Sequence, residues 1–394
     1  MTKLSELAAA ERSRVRITAV KGMQLRRSNG QSLVRIETDA GVVGVGEAGA
    51  PGDVTRAELR VLERHLIGAD PLNVERLYQD MMTQQHTYRP RVPVVSGVDI
   101  ALWDLAGKIL GLPVCELLTG TFRDCIEMYY GGGPGDWSDR SAMEEWFAAF
   151  REHPHGYRTL KFGFDHLVGR ELPANLFRTA VPNQTLKASH LEVIRRGFEA
   201  VRQAMGWDLD IILHCHNEWD LPTALGLCRA VAEAKPVWTE DLLPAWYCDG
   251  YRALREASPV PVCTGEKLEG VREFLPFLQH RAIDVIHLDL CWVGGISGGR
   301  KVADLADLYS VPVATHNVGT LVHNLACAHF GASVRNFVMS ETRVYENEYI
   351  SRMGNVELDV RDGMFPVPRT PGLGVELDEE VLRAELMEGE PFWD

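Results

Sequence analysis

Two periodicities divide the chain. Near its start, RVRITAVKGMQL and SLVRIETDAGVVGVGEA alternate apolar with polar residues, which predicts antiparallel strands with DAG as a turn. From residue 54 to 118 the spacing becomes helical, most clearly in VSGVDIALWDLAGKILGLPVCELL, where Gly111 and Pro113 act as stop signals. A small α+β domain over residues 1–125 is expected from this. Beyond it, short apolar runs recur, each followed by a helical stretch: IEMYY, RTLKFGF, DIILHCH, PVWTED, VPVCTGE, DVIHLDL, VPVATHN and NFVMSET. Continuous apolar strands alternating with helices predict a parallel sheet buried on both faces. Eight of them match a closed α/β barrel over residues 126–355 better than an open sheet. A doubly wound sheet would need a glycine-rich phosphate loop after its first strand, and GGGPGDW lacks the strand–turn–helix context. Residues 165–189, with Arg170, Pro173, Arg178 and Pro182, interrupt the pattern after the second strand, where a loop would lie over the barrel mouth. The tail, residues 356–394, carries DGMFPVPRTPGLGVELDEE and is expected to return to the first domain.

Composition narrows the partners. The 394 residues are 45% hydrophobic, enough for a large core, yet no run approaches the roughly 20 apolar residues that span a bilayer. MTKLSELAAAERSRVRI has neither the apolar run nor the small-residue cleavage site of a signal peptide. A formal charge of −14 argues against nucleic acid and anionic membranes, both of which require a concentrated basic face. It leaves room for a small anionic substrate, because a metal and a few lysines can dominate one pocket. None of the eight cysteines forms a C-x-x-C pair, so buried thiols in a reducing cytoplasm are expected rather than a disulfide framework. A homo-oligomer is expected.

Chemistry gathers at the C-terminal ends of barrel strands. There the sequence offers Lys161 on the second strand, His214 and His216 on the third, Glu240 on the fourth and Glu266 on the fifth. Asp289, His316 and Glu341 follow on the sixth, seventh and eighth. Glu240 and Glu266 suit a hard divalent cation, which prefers oxygen ligands. The alternative for them is a buried ion pair with Lys161 or Lys267. Asp289 and His316 can form an acid–histidine dyad, the carboxylate orienting the ring so that the other nitrogen takes a proton. The alternative for His316 is a satisfied core histidine. His287 lies deeper on the sixth strand and reads as structural; His323 and His329 read as packing or surface residues of the next helix.

These residues resemble the enolase superfamily, in particular its mandelate racemase subgroup. The resemblance rests on SGVDIALWDLAGKILGLPVCELLTG, the WTED and TGE strand ends, DLCWVGGIS and PGLGVELDEE, and runs over nearly the whole chain. It implies a modified TIM barrel, (β/α)7β, with an α+β capping domain. The implied chemistry is abstraction of a proton α to a carboxylate, with magnesium stabilising the enediolate. It makes Glu240 and Glu266 metal ligands, Asp289 and His316 the dyad, and Glu341 the acid facing the substrate carboxylate or enediolate. Lys161 becomes the first lysine of a Lys-x-Lys pair. His216 becomes the general acid of the acid-sugar dehydratases.

Two departures shape the expectation. Gly163 replaces the second lysine, which removes a base from the opposite face and favours loss of water over racemisation. His214 replaces an aspartate as the remaining ligand. An imidazole brings no charge, which tilts Mg2+ towards Mn2+ or another softer divalent ion; Asn217 or Glu218 could supply an oxygen instead. The expected reaction is dehydration of a sugar acid to its 2-keto-3-deoxy product. A racemase, epimerase or cycloisomerase, or a catalytically degenerate metal- or ligand-binding relative, are the alternatives. Substrate contacts are expected from Lys21, Arg89 and Trp292, with Arg26, Glu47, Tyr88, Arg91 and Trp219 as further candidates.

Overall fold

The computed structural model describes residues 14–83, 90–163, 185–216, 219–342, 348–356 and 358–393. The N-terminal alternation forms β1 (Ile17–Met23), β2 (Ser32–Thr38) and β3 (Val43–Ala48), an antiparallel sheet in the order β1-β2-β3. Helices α1 (Gly52–Leu66), α2 (Val74–Met82) and α3 (Val92–Leu110) follow. Their apolar faces join Val20, Val34 and Ile36 of the sheet in one cluster. Helix α3 starts with Pro93 in its first turn, where a missing N–H costs nothing. It ends at Gly111, whose φ of 72° suits the left-handed cap.

The glycines of VGVGEA explain how α3 packs. A Cβ on Gly46 would lie 2.0 Å from the Gly97 carbonyl oxygen, and one on Gly44 2.3 Å from that of Ala101. Strand and helix therefore meet backbone to backbone. Asp104, fully buried on α3, accepts Val45 N at 2.9 Å and Leu373 N at 2.8 Å, and pairs with Lys108 at 2.8 Å. One carboxylate thus ties the sheet, the helix and the C-terminal tail.

After the short α4 (Val114–Leu117) the barrel begins. Its strands are β4 (Cys125–Gly131), β5 (Thr159–Gly163), β6 (Asp210–His214), β7 (Trp238–Glu240), β8 (Val262–Thr264), β9 (Val285–Asp289), β10 (Val313–His316) and β11 (Phe337–Thr342). All pair in parallel, and β11 closes on β4. The helices between them are α5 (Arg140–Arg151), α6 (Ala188–Met205), α7 (Leu221–Ala230), α8 (Cys248–Ala257), α9 (Gly270–Gln279), α10 (Gly295–Leu308) and α11 (Leu321–Ser333). All eight apolar runs read from the sequence are strands of this barrel. No disulfide joins the eight cysteines, of which Cys125 and Cys248 are only partly buried. Among the described residues no helix is long and apolar enough to cross a membrane.

Beyond α12 (Glu348–Arg352) the tail does one thing its sequence does not announce. Strand β12 (Met364–Pro366) adds antiparallel to the start of β4, opposite Cys125, Ile126 and Glu127. Only then does the chain reach the cap, where the Leu25–Leu386 bridge follows α13 (Glu379–Ala384) and Glu390 pairs with Arg56. Cap and barrel also meet where Ser96 and Asp99 of α3 accept Gly294 N and Ser297 N, both at 2.9 Å. These acceptors serve the N-terminus of α10, whose first N–H groups lack partners within the helix.

Gly46→Ala is expected to destabilise the fold by about 1–3 kcal/mol or more, because neither backbone can yield to the added methyl. Urea unfolding against the wild type measures this; an unchanged midpoint would refute backbone contact between β3 and α3.

Candidate active site

Residues in register on neighbouring parallel strands point to the same face. His214 stands opposite Gly163 on one side and Glu240 on the other, and Glu240 opposite Cys263. Asp289 stands opposite His316, and Glu341 opposite Tyr129. The inward positions below them, Ile212, Trp238, Cys263, Val285, Ala314 and Met339, form an apolar floor together with Tyr129. A polar tier therefore rests on a dry one. Glu266 joins that tier from just beyond β8. Gly265, with φ of 147°, makes the turn; a Cβ there would meet the His287 carbonyl oxygen at 2.9 Å.

Lys161 is the central cation. Its Nζ lies 2.5 Å from Glu240 Oε1 and 3.1 Å from Glu341 Oε2, and all three side chains are almost wholly buried. Burial alone would lower its pKa, but Glu240, Glu341 and Glu266 outweigh that and raise it. The ion pair weighed as the alternative for Glu240 is thus present. On the far side, His316 Nδ1 sits 2.7 Å from Asp289 Oδ2, leaving Nε2 directed at Glu266 Oε2 (3.5 Å) and Glu341 Oε2 (3.9 Å). Burial pulls this ring down too, yet Glu266, the Asp289 hydrogen bond and Glu341 push it up to about 10. Asp289 is held in turn by Cys291 N at 2.6 Å, with His323 Nε2 at 3.5 Å behind it.

Lys161, Glu240, Glu266, Asp289, His316 and Glu341 thus come together at one end of the barrel. His214 follows on β6, its ring 4.4 Å from that of His216. His216 opens to solvent, and partial burial together with Lys161 holds its pKa below the ordinary value. Gly163, two residues after Lys161 on β5 and in register with His214, presents no side chain where a second lysine would stand.

The structure places three of the residues expected to contact substrate. Lys21 pairs with Glu37 at 3.3 Å within the cap sheet, reaching diagonally because its register partner on β2 is Arg35. Trp219 is fully buried in the packing around the barrel. Trp292 is partly buried and stacks its indole edge over Gly49, where a Cβ would meet its Nε1 at 2.6 Å. Arg89, Tyr88, Asn217, Glu218 and most of the 165–189 insertion lie outside the described residues.

Sequence reasoning missed Tyr129 and Trp238, and read His287 as structural. Tyr129 and His287 lie inside the barrel, Tyr129 Oη 2.7 Å from His287 Nε2 and His287 Nδ1 3.2 Å from Glu240 Oε2. Trp238 donates its indole N–H to the same Glu240 oxygen at 3.0 Å. Strand parity could have found them, since each lies two residues or one register step from a strand-end acid. Glu47, weighed as a substrate contact, instead accepts Thr320 N (2.9 Å), Thr320 Oγ1 (2.6 Å) and His323 N (3.1 Å), capping α11 from the cap domain.

The donors suit a divalent cation in type and charge. Two carboxylates and an imidazole occupy successive strand ends, and Glu266 Oε2 is buried with no hydrogen-bond partner. They are not drawn into one tight cluster. The acid, thiol and imidazole donors that come within 4.8 Å of one another, among the described residues, are Glu240, Cys263 and His287, and Asp289, Cys291 and His323. Lys161, Trp238 and His287 claim Glu240 instead, which sets it back from the mouth.

Two family models match the chain. One, the mandelate racemase / muconate lactonizing enzyme N-terminal domain, covers residues 10–119; the other, described as enolase C-terminal domain-like, covers residues 145–381. A D-xylonate dehydratase of Haloferax volcanii is 31% identical over 92% of this chain and 87% of its own length. A D-mannonate dehydratase of a Sphingomonas species is 29% identical over 88% of this chain and 89% of its own. A mandelate racemase/muconate lactonizing enzyme-like protein of Rubrobacter xylanophilus has a similar structure. Its TM-score is 0.86 at 28% identity, over 96% of this chain and 99% of that one.

The Glu47 contacts carry a pH prediction. Burial, with the Asp289 charge, outweighs its hydrogen bonds and raises its pKa from the ordinary 4.5 to about 7. The native state therefore keeps a proton that the unfolded chain has lost. The resulting stabilisation is full below about 4.5 and disappears as pH rises to 7. Urea unfolding at pH 5 and pH 8 should show the wild type losing about 3 kcal/mol more than Glu47→Gln at the higher pH. Parallel pH curves for the two proteins would remove Glu47 from this role.

Proposed function

The chain belongs to the mandelate racemase / muconate lactonizing enzyme family of the enolase superfamily, and on that premise we propose that it dehydrates a sugar acid to a 2-keto-3-deoxy acid. The observation that carries this reading is the His316–Asp289 dyad, whose free Nε2 faces Glu266 and Glu341 across the barrel mouth. The full-length likeness to dehydratases of D-xylonate and D-mannonate supports the substrate class.

Each residue has a distinct task. Glu240 and Glu266, with His214 as third donor, would hold a divalent cation, magnesium or a softer ion such as manganese. When bound, that ion supplies the positive charge that stabilises the enediolate and offsets the carboxylate field raising His316. Asp289 fixes the His316 tautomer by accepting from Nδ1, which leaves Nε2 to take the α-proton. Lys161 neutralises the substrate carboxylate while tethering Glu341, whose oxygen faces the same space. Glu341 donates a hydrogen bond to the developing enediolate when it carries a proton. His216, on the solvent side of His214, gives a proton to the departing hydroxide. Because Gly163 carries no base, nothing there returns a proton to the opposite face, and water loss is favoured over racemisation.

A panel of five- and six-carbon aldonates, incubated with Mg2+ or Mn2+, tests the reaction, with loss of one water read by mass. His316→Asn is expected to lower α-proton exchange in deuterated water by about 10²–10⁴-fold, and removal of metal with a chelator to abolish it. Undiminished exchange in His316→Asn would sink the assignment of the base. A product of unchanged mass would point to an isomerase.

A further inference from the structure

A separate group of ligating side chains lies behind the base. Asp289 closes β9, Cys291 follows it by two residues, and His323 stands in the first turn of α11; all three are wholly buried. Their donor atoms lie within 4.8 Å of one another. His323 is the anomaly of the group, because neither ring nitrogen has a hydrogen-bond partner. A buried polar atom in that condition calls for a partner, an ion or a water. We propose that the Asp289 carboxylate, the Cys291 sulfur and the His323 ring form a second cation site, for zinc or a similar borderline ion. This goes beyond the proposed reaction and holds whichever chemistry runs at the mouth.

The donors and their spacing suit that ion. Zinc takes thiolate, imidazole and carboxylate ligands in a tetrahedron, which sets the donors roughly 3.3–3.8 Å apart. His323 Nε2 lies 3.5 Å from Asp289 Oδ1. The same oxygen accepts Cys291 N at 2.6 Å, which keeps the cysteine beside the carboxylate. Asp289 gives its other oxygen to His316, so ion and base would use different oxygens of one carboxylate. The Cys291 sulfur releases its proton to solvent on binding, and thiolate and carboxylate together neutralise a dication. Glu240, Cys263 and His287 make a comparable group deeper in the barrel. There Lys161 Nζ stands 2.5 Å from Glu240, and an ammonium so close repels a cation. Among the described residues no lysine or arginine pairs with Asp289, Cys291 or His323. The role of the ion is structural. It would tie the end of β9 to α11 at a place where both already touch the cap, Cys291 O through Gly49 N and His323 N through Glu47 Oε2, each at 3.1 Å.

Cobalt reports on the site, because thiolate-bound Co2+ absorbs in the near ultraviolet and the oxygen and imidazole donors at the mouth give no such band. The full-length protein is first saturated with Mg2+, a hard ion that prefers oxygen ligands, and then incubated with Co2+. The thiolate-to-cobalt band is expected to saturate at about one Co2+ per chain. Cys291→Ser and His323→Gln should lose it, while Cys263→Ser and Glu266→Gln should keep it. No band in the wild type overturns the proposal and leaves His323 to water. A band that survives Cys291→Ser overturns it as well, and one lost in Cys263→Ser moves the ion to Glu240. Urea unfolding in the same excess of Mg2+ confirms that each variant folds and gives a second reading. Added Zn2+ should raise the midpoint of the wild type more than that of Cys291→Ser, since an ion that binds only the native state stabilises it. Equal shifts in the two proteins would refute the site.

Discussion

Four carboxylates and one ammonium share a few ångströms of low-dielectric space at the mouth of this barrel. Carboxylates so placed repel one another strongly unless cations lie between them. Lys161 is such a cation for Glu240 and Glu341, and His316 serves Glu266 and Asp289. Much of the site's architecture follows from this constraint. Each acid leans towards a positive or donor group, and the apolar floor of Ile212, Trp238 and Met339 keeps water from relieving the strain. A site under such a field is poised for a divalent ion and for an anionic intermediate.

The constraint reaches the cap domain through one helix. Glu47 holds the first turn of α11, the helix that carries His323 behind Asp289. The N-terminal sheet is thereby connected to the orientation of the base. The close approach of Gly46 and Gly97 fixes β3, and with it Glu47, against α3.

The barrel was legible because parallel strands leave continuous apolar runs, and because the first polar residue after each run marks the mouth. Lys161, Glu240, Asp289, His316 and Glu341 were all found in this way. What escaped was set by tertiary packing. Tyr129 and Trp238 are aromatic residues in mid-strand and read as core; only register shows them touching Glu240 and Glu341. Lys21 looked like a substrate contact because the chain alone does not reveal Glu37 across the hairpin. Trp219 follows the third barrel strand, yet it is wholly buried in the main hydrophobic cluster. Strand β12 hid in a turn-rich tail because three residues give no periodicity.

That tail has a consequence for biosynthesis. Gly372 receives Val114 N, Leu373 N reaches Asp104, Met387 N bonds Gln24 O, and Glu390 pairs with Arg56. The N-terminal domain is therefore completed by residues that leave the ribosome after the barrel. Its helices and hairpin can form early, but their final partners arrive only after the whole barrel has been translated. Such long-range closure slows folding and lengthens the interval in which apolar surface is bare. A nascent chain stalled just after the barrel would carry a finished barrel under an unfinished cap, a species that chaperones would be expected to recognise.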